Sequence, residues 1–140
     1  MGDQFLSELN LWCLSREEAI AASGNADRPY FKLITPFRYE STLLGGIIEI
    51  PTDFLTDLGS IPRAVWWWLS PDDYEISYPS VVHDYIYKQK GDLSLQSLPQ
   101  KRVDRETADR VLREAMAAVG ASAFRQSVVY NAVRNFGPRW

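Results

Sequence analysis

The hydrophobic period of this chain changes once, near residue 60, and that change constrains the fold more than any other feature. Residues 1–58 read as mainly extended with one short helix, and residues 60–140 read as helical. YFKLITPFRYE, residues 30–40, alternates: Phe31, Leu33, Phe37 and Tyr39 fall on one face, with Lys32, Arg38 and Glu40 on the other. That is the period of a half-buried strand. Pro36 has no N–H to give a ladder, so the strand belongs at an edge or carries a bulge there. Gly45-Gly46 marks a turn, and IIEIP (47–51) is the return strand of a hairpin. LNLWC (9–13) is a candidate third strand. The short helix lies in LSREEAIAASG (14–24), where Ser15 and Glu18 have capping-box spacing and Gly24 can close the helix in the left-handed region.

Past residue 60 the punctuation belongs to helices. SIPRAVWWWL (60–69) has Ser60 as N-cap and Pro62 in the first turn. YPSVVHDYIYKQKG (78–91) is opened by Pro79 and closed by Gly91, and DLSLQSLPQKR (92–102) reads as a loop. A third helix starts at Asp104, with Ala108, Val111, Leu112, Ala115, Met116 and Val119 at helical spacing and Gly120 as its stop. Ser122 caps a fourth, carrying Phe124, Val128, Val129, Ala132, Val133 and Phe136, ended by Gly137-Pro138. The expected fold is therefore α+β. A small antiparallel β-layer from the N-terminal half packs on three to four helices, in a single domain over residues 1–140.

The chain's 140 residues, 46% of them apolar, are enough for one buried core without staples. A net charge of −3 gives no global basic excess, so nucleic acid is a poor candidate partner. Arg134 and Arg139 beside aromatics near the C-terminus do not change that, and docking of Trp140 on the domain is the plainer reading of the tail. Cys13 is the one cysteine, which suits a reducing compartment. The first residues show no basic region followed by an apolar stretch, the mark of a signal peptide. The longest apolar run, AVWWWL, is far shorter than the roughly 20 residues a bilayer span needs.

Chemistry gathers around the single histidine. His83 lies in VVHDYIY (81–87) next to Asp84. On a helix the two point about 100° apart, so they flank a cleft rather than face one point. His83 shares a face with Val82, Ile86 and Tyr87 and needs partners for both ring nitrogens. Asp109 sits at the border of the next helix's apolar stripe, in line with Arg105 and Leu112. Set across a helix–helix groove from His83, it could fix the imidazole tautomer, or His83, Asp84 and Asp109 could share a divalent metal. The bland alternative is a core histidine bonded to a carbonyl and a carboxylate. TDFLTDLGSIPR (52–63) either forms a tight strand-to-helix turn around Asp57, Gly59 and Ser60 or aims Asp57 and Ser60 into the cleft. Ser60 is a candidate nucleophile for His83 to activate, though no nucleophile-elbow glycine pattern surrounds it. Trp66, Trp67 and Trp68 span about 300° of a helix, too much for one buried face, which makes them a candidate partner surface.

Taken together, IEIPTDFLTDLGSIPR, VVHDYIY, ETADRVLREAM and the YNAVRNFG helix resemble a domain-of-unknown-function family found in bacteria and in tailed bacteriophages and prophages. The resemblance spans about residues 30–137. It implies that Thr56, Asp57, Ser60, Pro62, His83, Asp84, Tyr87 and Asp109 are the family's positions here. The sequence departs from the pattern at Asp53, where glycine is usual, and at Gly59, where alanine is common. The resemblance brings no established activity. It implies the bacterial host cytoplasm or the phage virion as location. The expected function is a small His/Asp hydrolase-like or divalent-metal-binding protein with His83, Asp84, Asp109, Asp57 and Ser60 at its site. The alternatives are a virion-associated or tail-assembly part that docks on the phage virion through Trp66, Trp67 and Trp68, and an inhibitor binding a host protein, also reachable through these residues, or a nucleotide signal.

Overall fold

A computed structural model describes residues 4–24, 29–57, 74–95 and 101–137. The β-layer comes first. Strand β1 (Leu11–Cys13) is followed by helix α1 (Arg16–Ser23), then by β2 (Phe31–Leu33), β3 (Phe37–Ser41), β4 (Gly46–Ile50) and β5 (Leu55–Thr56). The helical part holds α2 (Tyr74–Lys88), α3 (Arg105–Ala118) and α4 (Ala123–Phe136), with the short strands β6 (Asp92–Leu93) and β7 (Lys101–Arg102) between α2 and α3. This is the α+β arrangement that the change of period implies. No described helix is long and apolar enough to cross a membrane.

The alternating stretch 30–40 forms two strands rather than one. β2 pairs antiparallel with β1 and β5, whereas β3 pairs with β4. The break falls just before β3, at Ile34–Pro36, where proline cannot continue a ladder. The side-chain parity survives the break, and Leu33, Phe37 and Tyr39 are all fully buried. The hairpin closes through Gly45, whose φ of 74° suits glycine. Asp53 takes a left-handed φ of 71° while its N–H bonds Leu33 O at 2.9 Å. Aspartate tolerates that region better than most residues. Beyond Asp53 the expected 52–63 loop contains β5.

The helix ends follow local chemistry. Ser15 and Glu18 form the reciprocal capping box, and Gly24 closes α1 with φ 86°. Asp104 and Ser122 accept from the third amide of α3 and α4 respectively. Pro79, however, lies inside α2 rather than opening it. A proline one turn into a helix removes the bond to the carbonyl four residues back, a loss of roughly 3 kcal/mol. Packing of the preceding turn offsets it: Ile76 is buried, and Tyr78 stacks edge-on against Phe5 and Phe37 while its hydroxyl accepts the Leu9 N–H. The 92–102 loop is likewise corrected, because β6 and β7 pair as Asp92↔Arg102 and Leu93↔Lys101, and Leu95 bridges to Ile48. The helix expected at 60–69, with Ser60, Pro62 and Trp66–Trp68, lies outside the described residues, as does Trp140.

Helix α3 stands between two hydrophobic clusters. Ala108, Val111 and Ala115 face the β-layer and α2, and Leu112 and Met116 face α4. On α4 only the middle of the expected stripe is buried, at Val129 and Val133. Phe124 and Phe136 are 65% and 79% exposed, against expectation. Phe124 stands roughly 110° from the centre of the stripe. Phe136 lies at the end where α3 presents Arg105, whose guanidinium bonds Val133 O and Arg134 O.

Candidate functional site

Residues 80, 83 and 87 lie on one face of α2, spaced by three and four, so Ser80, His83 and Tyr87 form a polar line within an apolar helix. That face meets α3 at Asp109. His83 Nε2 lies 2.7 Å from Asp109 Oδ1, and Tyr87 Oη donates to the same oxygen at 2.5 Å. Arg134 of α4 donates from Nη1 to Oδ2 at 3.0 Å. His83, Asp109 and Ser80 are fully buried, and Tyr87 is nearly so. The junction of three helices thus encloses a carboxylate with both oxygens occupied.

Burial pushes the Asp109 carboxyl upward, but the hydrogen bonds from His83, Tyr87 and Arg134 outweigh it and hold the group below its ordinary range. Burial, reinforced by Asp109, raises the Tyr87 phenol, so Tyr87 stays a donor. An ionised Asp109 can only accept, so the proton in the His83 contact sits on Nε2. In the neutral ring the lone pair is then at Nδ1. Among the described residues nothing hydrogen-bonds Nδ1, and the same is true of Ser80 Oγ. The Tyr87 ring, with its centroid 4.2 Å from that of the imidazole, fixes the ring's tilt.

Asp84 is not part of this cluster. Asp84 is buried on a different side of α2, with Lys88 3.4 Å from its Oδ2. Lys88 in turn donates to Leu55 O at 2.6 Å and lies over the Phe54 ring, tying α2 to β5. Asp57 follows β5, half-buried, and Ser60 lies outside the described residues. The expected metal set of His83, Asp84 and Asp109 is not gathered: among the described residues no three His, Cys, Asp or Glu side chains could hold a metal ion. Asp109 has spent both oxygens on side chains, and Asp84 faces elsewhere, so this donor set does not fit a divalent ion.

Two members of the cluster, Ser80 and Arg134, went unassigned in the sequence, and Tyr87 was marked there only through the resemblance. Ser80 and Tyr87 carried a signal in their spacing from His83. Arg134 and Asp109 carried another, as opposite charges at the borders of two apolar stripes.

The fold and site define a small α+β domain built round a buried His–Asp pair at a three-helix junction. The chain belongs to the family described as protein of unknown function (DUF1353), whose model matches residues 31–133. No curated protein and no solved structure matches it.

Proposed function

We propose that this protein is a hydrolase-like enzyme that uses His83 as its acid–base group, oriented by Asp109. The observation that carries this reading is that Asp109 occupies Nε2 of His83 while no described residue takes the lone pair of Nδ1. A base needs a fixed ring, a known tautomer and an open nitrogen, and a carboxylate on the opposite nitrogen supplies the first two. Nδ1 takes a proton from water as the water oxygen bonds to an electrophilic carbonyl carbon or phosphorus. The leaving group departs with its bonding pair and recovers that proton from Nδ1–H. Asp109 stabilises the imidazolium in between, and Arg134 balances the carboxylate when the ring is neutral. The metal-binding alternative finds less support in the donor set.

A panel of chromogenic carboxylic and phosphoric esters tests the reading. Turnover lost by at least 100-fold in His83→Gln, with the fold retained, is the expected result. No turnover of any ester by the wild type, or full activity in His83→Gln, overturns it. A phage or prophage source, in host cytoplasm or virion, belongs to the same proposal and rests on the motif resemblance. Mass spectrometry of purified particles tests the virion role.

A further inference from the structure

We propose that Ser80 is the positioning residue for the attacking water, which it and Nδ1 of His83 hold between them. The inference rests on the function proposed above and adds a residue that the motifs do not mark. Ser80 and His83 are three apart on α2, where Cβ atoms stand about 5–6 Å from each other. Two hydrogen bonds through one water span a similar distance, at about 2.8 Å each. Side chains on a helix lean toward its N-terminus, so the His83 ring leans toward the turn of Ser80. Nδ1 is attached directly to Cγ and therefore lies near its own helix, while Nε2 is the nitrogen that reaches Asp109 on α3. The ring's nearer nitrogen and the Ser80 hydroxyl are the two fully buried groups on this face with no hydrogen bond from any described residue.

Their chemistry is complementary to a water. Nδ1 accepts one water hydrogen, and the Ser80 hydroxyl donates to one water lone pair. The second lone pair is left to attack. Ser80 is not itself the nucleophile, because it sits mid-helix, where the neighbouring backbone N–H groups are committed to helix bonds and leave no oxyanion donors.

The single histidine makes the test clean. Long-range proton–nitrogen NMR of the imidazole and rotating-frame transfer from solvent water would be recorded on wild type, Ser80→Ala and Ser80→Thr. The expected wild-type result is an Nε2–H tautomer with a water cross-peak at the imidazole. In Ser80→Ala the cross-peak disappears and the Nδ1 resonance moves while Nε2 stays. The hydroxyl of Ser80→Thr restores both. On the esters, Ser80→Ala should lower kcat about 10- to 100-fold with little change in KM. A wild type without the water cross-peak, or an Nδ1 signal and cross-peak unaltered in Ser80→Ala, overturns the role of Ser80. Neither result touches the base itself, which His83→Gln on the ester panel tests separately.

Discussion

Helix α3 carries two carboxylates that reach other elements, Asp109 and Glu114, and they do different work. Glu114 Oε1 accepts from Tyr39 Oη at 2.5 Å, and its Oε2 accepts from the Leu43 N–H at 2.8 Å. Gln4 donates to the Tyr39 hydroxyl from the other side. This network binds α3 to β3 and to the hairpin turn, and among the described residues none of its buried polar atoms lacks a partner. The Asp109 network ties α3 to α2 and α4 with the same economy, yet it ends in an imidazole nitrogen and a serine hydroxyl with no described partner. A network kept only for the fold gains from closing every bond, since an unsatisfied buried polar group costs about 1–3 kcal/mol. On the proposed reading, the open end of this network at His83 Nδ1 and Ser80 is what distinguishes a site from a clamp.

The largest expected effect comes from removing the two acids. Asp109→Ala leaves Arg134 and the His83 and Tyr87 donors without their acceptor inside the protein, and should lower unfolding stability by about 3–5 kcal/mol. Glu114→Gln keeps the volume at a half-buried position and should cost about 1–2 kcal/mol. Urea unfolding at neutral pH measures both. Equal losses would break the comparison, because the two acids would then be structural in the same degree.

Acid sharpens it next. The Asp109 carboxyl is depressed below its ordinary value of 3.8 by its donors. Its contribution is therefore complete above that value and is lost as pH falls through the lower folded-state value. The stability gap between wild type and Asp109→Ala should shrink as pH falls from about 5 toward about 2. A gap independent of pH in that range would mean that Asp109 is not the charged acceptor the geometry requires. Urea midpoints across the pH series decide it.

Much of the fold was legible because local chemistry and tertiary packing agreed there. Ser15 with Glu18, Asp104, Ser122 and the parity of Leu33, Phe37 and Tyr39 each named their own role. Misreadings came where a local signal was outweighed or overlooked. Pro79 looked like a helix start, but the buried Ile76 and stacked Tyr78 extend α2 behind it. DLSLQ alternates, yet the surrounding polar residues made it look like a loop; Leu93 and Leu95 are buried all the same. The site was half legible. His83 and Asp109 drew attention because a histidine and an acid interrupt apolar stripes. Their meeting depends on how α2 crosses α3, which neither stripe encodes, and Arg134 enters from a third helix. Asp84 and Asp109 both looked like ligands because spacing along one helix says nothing about which way a neighbouring helix lies.

The smallest effect is the most discriminating. Ser80→Ala removes a buried hydroxyl that no described residue bonds, and alanine is also the better helix former. Stability should change by no more than about 0.5 kcal/mol, or rise. Removing a partnered hydroxyl from the other network, in Tyr39→Phe, should instead cost about 1–2 kcal/mol, because Glu114 Oε1 loses its donor. Paired urea titrations of the two variants read the sign directly. If Ser80→Ala destabilises as much as Tyr39→Phe, the α2 hydroxyl is a closed structural bond like its counterpart on β3, and the case for an open polar end at His83 fails with it. If Ser80→Ala is neutral or stabilising, the folded chain retains a buried hydroxyl that stability alone does not explain. A group kept against the interest of the fold is the physical signature expected of one that binds something.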